Sequence, residues 1–275
     1  MVVDAHHHFW DPSLHDYPWM GDELAPIRRR FGPAELSPLL AAEGVDRTVL
    51  VQTISSVDET REFLATAAVT AFVAGVVGWV DLTKPSVGDA LAELRAGAGG
   101  TFLVGIRHQV HDELDPRWLL RADVQRGIEA VRDAGLVYDL LVKTRELPAA
   151  VELARSFPDL RFVLDHIAKP RIAAGPRDPE WEQAMAPLAE CANVYCKLSG
   201  MVTEARWTDW TPDDLLPYVS RVLKWFGPKR CMFGSDWPVC LLASDYARVV
   251  STMRAIVGDN GDVFGATARR VYRLS

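Results

Sequence analysis

Eight short apolar runs, each followed by a stretch with helical spacing, constrain the fold of this 275-residue chain more than any other feature. The runs fall at 1–10, 47–53, 74–80, 102–107, 137–142, 161–166, 193–198 and 230–236. Helical patterns follow near 34–43, 57–70, 86–96, 121–134, 147–156, 178–190, 212–226, 243–257 and 261–271. Near-continuous apolar strands suit a parallel sheet buried on both faces. Eight such units predict an α/β chain folded as one (β/α)8 TIM barrel domain over 1–275. The competing doubly wound sheet needs a glycine-rich turn after its first strand, and this chain has His6-His7-His8-Phe9-Trp10 there instead.

Composition narrows the class. The formal net charge of −7, with no basic run, excludes a nucleic-acid or anionic-membrane partner. No apolar run is long enough to span a bilayer, and no leader pattern precedes the first strand, so a cytoplasmic protein is expected. Cys191, Cys196, Cys231 and Cys240 form no CxxC pair and read as buried, reduced thiols. Self-association into a homo-oligomer is compatible with all of this.

The chemistry gathers at strand ends. Side chains alternate along a strand, so His6 and His8 share a face and His7 takes the other. Two imidazoles at a strand's carboxyl end can grip a metal ion or a polarised oxygen. The later ends carry Arg107 and His108, then Asp139 and Lys143, then Asp165, His166 and Lys169, then Lys197 and Ser199, and finally Ser235 and Asp236. In a barrel these positions converge on one polar pocket. Arg107 and Lys197 either bind substrate there or form buried ion pairs with Asp139 or Asp165. Nine tryptophans, several in loops, suggest aromatic walls; Trp10, Trp79 and Trp237 are the candidates. The segment 11–33 is long for a connection and rich in turn formers, which points to a functional loop.

Five segments carry a family resemblance. Asp4-Ala5-His6-His7-His8 is similar to the D-x-H-x-H opening of the amidohydrolase superfamily. Gly234-Ser235-Asp236-Trp237-Pro238, Gly105-Ile106-Arg107-His108-Gln109, Leu164-Asp165-His166-Ile167-Ala168-Lys169-Pro170 and Lys197-Leu198-Ser199-Gly200 resemble its family 2 branch. The sugar lactonases of the L-fuconolactonase and L-rhamnonolactonase type are the most similar group. The resemblance implies hydrolysis of a sugar 1,4- or 1,5-lactone, with Asp236 as general base and His166 and Arg107 as catalytic partners. It also implies one divalent cation, zinc, on His6, His8, His166 and Asp236, or a metal-free site using the same histidines as donors. Strand five offers no histidine, so a two-metal site is not expected. Substrate contacts are expected from Trp10, Trp79, His108, Lys197 and Trp237. The alternatives are a metal-dependent decarboxylase of an acidic aromatic, which needs two or more basic groups in the pocket, and a lactone isomerase.

Overall fold

The structure, a computed structural model, describes residues 1–275. Eight parallel strands lie in chain order in one sheet: β1 Val3–His7, β2 Arg47–Val51, β3 Val73–Gly78, β4 Leu103–Gln109, β5 Val137–Leu141, β6 Phe162–Leu164, β7 Val194–Leu198 and β8 Cys231–Phe233. The two edges meet. Asp236 N donates to the His6 carbonyl at 2.8 Å and His8 N to the Trp237 carbonyl at 2.7 Å, closing the barrel just beyond β8. The helices are α1 Pro33–Glu43, α2 Val57–Val69, α3 Val87–Ala96, α4 Ala122–Asp133, α5 Leu147–Ser156, α6 Pro179–Ala189, α7 Met201–Glu204, α8 Pro212–Phe226, α9 Tyr246–Val257 and α10 Thr267–Tyr272. No helix is long and apolar enough to cross a membrane. All four cysteines are free and buried.

Two helix limits differ from the sequence pattern for visible reasons. The helix expected from 243 starts at Tyr246, because Asp245 caps it and accepts from Arg248 N at 2.7 Å. The one expected over 261–271 opens as a π-turn, Asp262–Ala266, and becomes α10 only at Thr267. Gly265 explains the break: a Cβ there would lie 2.2 Å from the Met1 carbonyl oxygen.

The barrel interior is layered. Val3, Ala5, Val49, Val51, Val77, Val137, Val163 and Met232 pack with Val271 and Tyr272 of α10, which plugs the amino-terminal end. The same inward positions further along β4, β5 and β7 carry Arg107, Asp139 and Lys197, all buried. Simple alternation from Val3 and Ala5 would point His7 inward. The register of β1 against β2 shifts between Asp4 and His7, and this bulge turns His6 into the barrel. His7 turns outward, with Nε2 2.8 Å from Thr48 Oγ1.

A buried carboxyl supports the loop after β2. Glu59, in the first turn of α2, accepts from Thr53 N at 2.9 Å, from Ile54 N at 3.2 Å and from the Thr53 hydroxyl. Burial raises it from 4.5 to about 7 despite those bonds. The folded chain therefore keeps a proton that the unfolded chain releases. The resulting stabilisation is complete below pH 4.5 and is lost as the pH rises to about 7. Between about pH 5 and about pH 8, the wild type should lose on the order of 2–3 kcal/mol relative to Glu59→Gln, read from urea midpoints at each pH. Parallel curves for the two proteins would show that Glu59 is ionised throughout.

Candidate active site

A cavity of about 490 Å³ opens at the carboxyl ends of the strands, with His8, Arg107, His166 and Asp236 on its floor and Trp19 and Trp207 among its walls. His6 sits directly behind that floor and is wholly buried.

Asp236 is where the floor converges. Its Oδ1 lies 3.4 Å from His8 Nε2, 3.7 Å from His6 Nε2 and 3.9 Å from His166 Nε2. The His6 and His8 rings approach each other at 3.2 Å between Nε2 atoms. A tetrahedral zinc with bonds of about 2.0–2.1 Å has ligand–ligand edges of roughly 3.3–3.4 Å. The observed separations bracket that value, and the ligand atoms of His6, His166 and Asp236 all lie within 4.8 Å of one another. The outward nitrogens are held as a metal site requires. His8 Nδ1 donates to the Val51 carbonyl at 2.7 Å, which leaves Nε2 as a bare acceptor. His166 Nδ1 is 2.9 Å from Ser199 Oγ. His6, His166 and Asp236 therefore form a group that fits one divalent cation, with His8 Nε2 beside it 3.4 Å from Asp236 Oδ1 and 3.2 Å from His6 Nε2, and no second group of this kind is present.

The electrostatics favour neutral imidazoles facing a carboxylate. Burial lowers His166 to about 4, against the pull of Asp236 and Asp165. Burial and the nearby Lys197 ammonium lower His6 well below the usual histidine range. Burial alone would raise Asp236, but His166, His8 and Lys169 outweigh it and hold the carboxyl below its ordinary value.

The backbone is unusual at the same two positions. His166, Ile167, Ala168 and Lys169 all have left-handed φ, from 48° to 60°, as does Asp236 at 59°. Such conformations cost of order 1–3 kcal/mol each in non-glycine residues and persist where the surroundings enforce them. One enforcing neighbour is Gly200, itself at φ 65°, where a Cβ would lie 2.5 Å from His166 Nδ1. Gly200→Ala should push the His166 ring off its mark and weaken zinc binding by about 10–100-fold, measured by competition with a chromophoric chelator. Unchanged affinity would mean that the ring tolerates displacement.

The sequence profile of the amidohydrolase family matches residues 3–274. This chain belongs to the amidohydrolase family. Among curated relatives, an L-fucono-1,5-lactonase of Burkholderia ambifaria is 44% identical over 89% of this chain and 82% of that protein. An L-fucono-1,5-lactonase of Burkholderia multivorans is 38% identical over 99% of this chain and 96% of that protein. Among solved structures, an amidohydrolase from Burkholderia multivorans with bound zinc superposes with a TM-score of 0.92 at 37% identity, covering 100% of both chains.

Several residues read from the sequence stand elsewhere in this amidohydrolase. Lys197 does not reach the cavity. It is buried below the floor, with Nζ 2.6 Å from Asp139 Oδ2 and 3.0 Å from Asp165 Oδ1. Arg107 borders the cavity, but its five N–H groups are already engaged: Nε and Nη2 with Gln52, Nη1 with Asp165 Oδ2 at 2.9 Å and with His6 Nε2 at 3.3 Å. With a cation on His6 Nε2, four of the five N–H groups stay with Gln52 and Asp165 and one Nη1 N–H is released. Trp10 and Trp237 are buried 5.6 Å and 5.4 Å from the Phe31 ring and anchor the long loop rather than facing ligand. Trp79 donates to His108 Nδ1 at 3.0 Å, and His108 stacks on Trp118, so both lie off the main cavity.

The walls also hold residues to which no substrate contact was assigned. Trp19 comes from the long segment after β1, and Trp207 from the loop after α7. Lys143 follows β5 and Lys169 follows β6; Lys169 is paired with Glu204 at 3.2 Å. His111 also faces the cavity, pushed down to about 3 by burial and by Lys169 and Lys143, and is therefore neutral. Strand-end position had marked the two lysines, but spacing carries no signal for which loop tryptophan turns inward.

Proposed function

We propose that this amidohydrolase opens a sugar 1,5-lactone to the aldonic acid, as a carboxylic-ester hydrolase of carbohydrate catabolism. The observation that carries the reading is Asp236, a buried carboxylate held below its ordinary pKa on a cavity floor that it shares with His166, an imidazole that burial keeps neutral. The two L-fucono-1,5-lactonases support the substrate class. A single barrel over 1–275, working in the cytoplasm with its four thiols reduced, completes the proposal.

Asp236 takes the proton from the attacking water and returns it to the ring oxygen as the ester bond breaks. A divalent cation on His6, His8, His166 and Asp236 would act as a Lewis acid towards the lactone carbonyl. His166 is aimed at the reacting centre by Ser199 and the left-handed turn. Arg107 contributes a fixed positive charge and holds Gln52 and Asp165 in place. Trp19 and Trp207 narrow the cavity and offer flat faces to the apolar side of a sugar ring.

The decarboxylase alternative has one observation on its side, since Arg107, Lys143 and Lys169 all border the cavity. Two of the three are committed, Arg107 to Asp165 and Lys169 to Glu204, leaving Lys143 as the only unpaired cation. The deciding assay is proton release on a panel of aldono-1,4- and 1,5-lactones, with and without chelator. Turnover of a 1,5-lactone, restored by zinc after chelation, is the expected result. Conversion of one lactone to another without proton release would point to an isomerase. No turnover of any lactone, with carbon dioxide released from an aromatic acid, would replace the reading.

A further inference from the structure

His6 is the ligand whose two ring nitrogens are both contested. Its Nδ1 lies 3.2 Å from Lys197 Nζ and 3.3 Å from Asp165 Oδ1. Its Nε2 lies 3.2 Å from His8 Nε2 and 3.3 Å from Arg107 Nη1. A neutral imidazole carries a single proton, so these neighbours sort into two sets. With the proton on Nε2, the ring donates to the bare Nε2 of His8 and accepts from Lys197 at Nδ1. With the proton on Nδ1, the ring donates to Asp165 Oδ1 and frees Nε2 for a cation. The first arrangement is aligned on both sides, whereas Asp165 Oδ1 is a buried oxygen with the Lys197 ammonium 3.0 Å away but no donor aligned for a hydrogen bond. Buried acceptors left in that state are rare and call for an explanation. Arg107 Nη1 keeps a partner in either case, since it also donates to Asp165 Oδ2 at 2.9 Å.

We propose that Lys197 and Asp165 are positioning residues that hold His6 in two alternative tautomers. Lys197 holds the cation-free ring with its proton on Nε2. Asp165 receives the Nδ1 proton once a divalent cation occupies Nε2. The proton passes from one nitrogen of the ring to the other through solvent, so the ring stays neutral. This rests on reading His6, His8, His166 and Asp236 as one cation site. Lys197 cannot follow the ring, because Asp139 holds its ammonium at 2.6 Å and is in turn fixed by the Tyr272 hydroxyl at 2.7 Å. Every cation that binds therefore displaces the Lys197 contact to His6, which weakens its binding.

The test is a long-range ¹H–¹⁵N spectrum of the full chain with labelled histidine, recorded free of metal and with equimolar zinc. His6 signals are identified by their loss in His6→Gln. The expected result is Nε2–H without metal and Nδ1–H with zinc. In metal-free Asp139→Asn/Lys197→Met, His6 should already carry its proton on Nδ1. That double variant should also bind zinc about tenfold more tightly. The variant removes one cation and one anion, and loss of the nearer Lys197 charge also acts in that direction, so the ring-nitrogen shifts decide. An Nδ1–H ring in the metal-free wild type, or an unchanged ring in the double variant, would overturn the positioning proposal while leaving the cation site in place. Failure of the wild type to bind zinc at all would overturn both. The wild-type spectra decide the matter even where the double variant does not fold.

Discussion

Asp236→Asn should lower kcat on a 1,5-lactone by about 10²–10⁴-fold while the melting temperature stays close to that of the wild type. The substitution isolates the carboxylate because of the backbone. Asp236 sits at φ 59°, a region that asparagine enters more readily than almost any other non-glycine residue. Alanine there would add strain and confuse the result. Asparagine keeps the shape and one acceptor oxygen, but it can neither take a proton from water nor offer a charge to a cation. Both losses fall on turnover. The check is steady-state kinetics at saturating zinc with a thermal melt alongside. Rates within a few-fold of wild type would remove Asp236 from the proposed chemistry.

The second large effect is on stability. Lys197→Met should destabilise the fold by about 3–5 kcal/mol, a fall in melting temperature of about 10 °C. Lys197 and its partners Asp139 and Asp165 are all 0% exposed. Removing the ammonium leaves Asp139 with only the Tyr272 hydroxyl, whereas Asp165 keeps Arg107. Desolvated charge without a partner is the expensive state, more than the absence of the pair itself. The double variant Asp139→Asn/Lys197→Met should therefore recover much of the loss, and a double-mutant cycle on unfolding free energies measures the coupling. Additive losses would show that the two charges do not act as a unit.

Much of the architecture was legible because parallel barrel strands are apolar along their length and polar only where they end. That contrast marks all eight strands and puts His6, His8, His166 and Asp236 among the polar ends, whereas their grouping as one cation set comes from the family resemblance alone. Depth along the barrel axis was not legible. Lys197 and Arg107 sit on the same kind of strand end, and nothing in the pattern says that one lies a layer below the floor and the other spends most of its donors on Gln52 and Asp165. The bulge in β1 was hidden as well. The inward turn of His6 follows from a register shift that a plain alternation does not contain. The tryptophans show a different limit. An indole suits a ligand wall and a buried anchor equally well, so Trp10 and Trp237 could not be told from Trp19 and Trp207 without the path of the loops.

The closure between β8 and β1 has a consequence for synthesis. A nascent chain that has emerged only through its seventh strand has the three imidazoles but no Asp236, and its first strand has an unpaired edge. A cation held by all four groups would be complete only once the last strand has docked, so its full affinity would report completed barrel assembly. A circular permutant that joins the present termini and opens a distant loop would emerge with β8 and β1 already adjacent, and should acquire its ion earlier during translation.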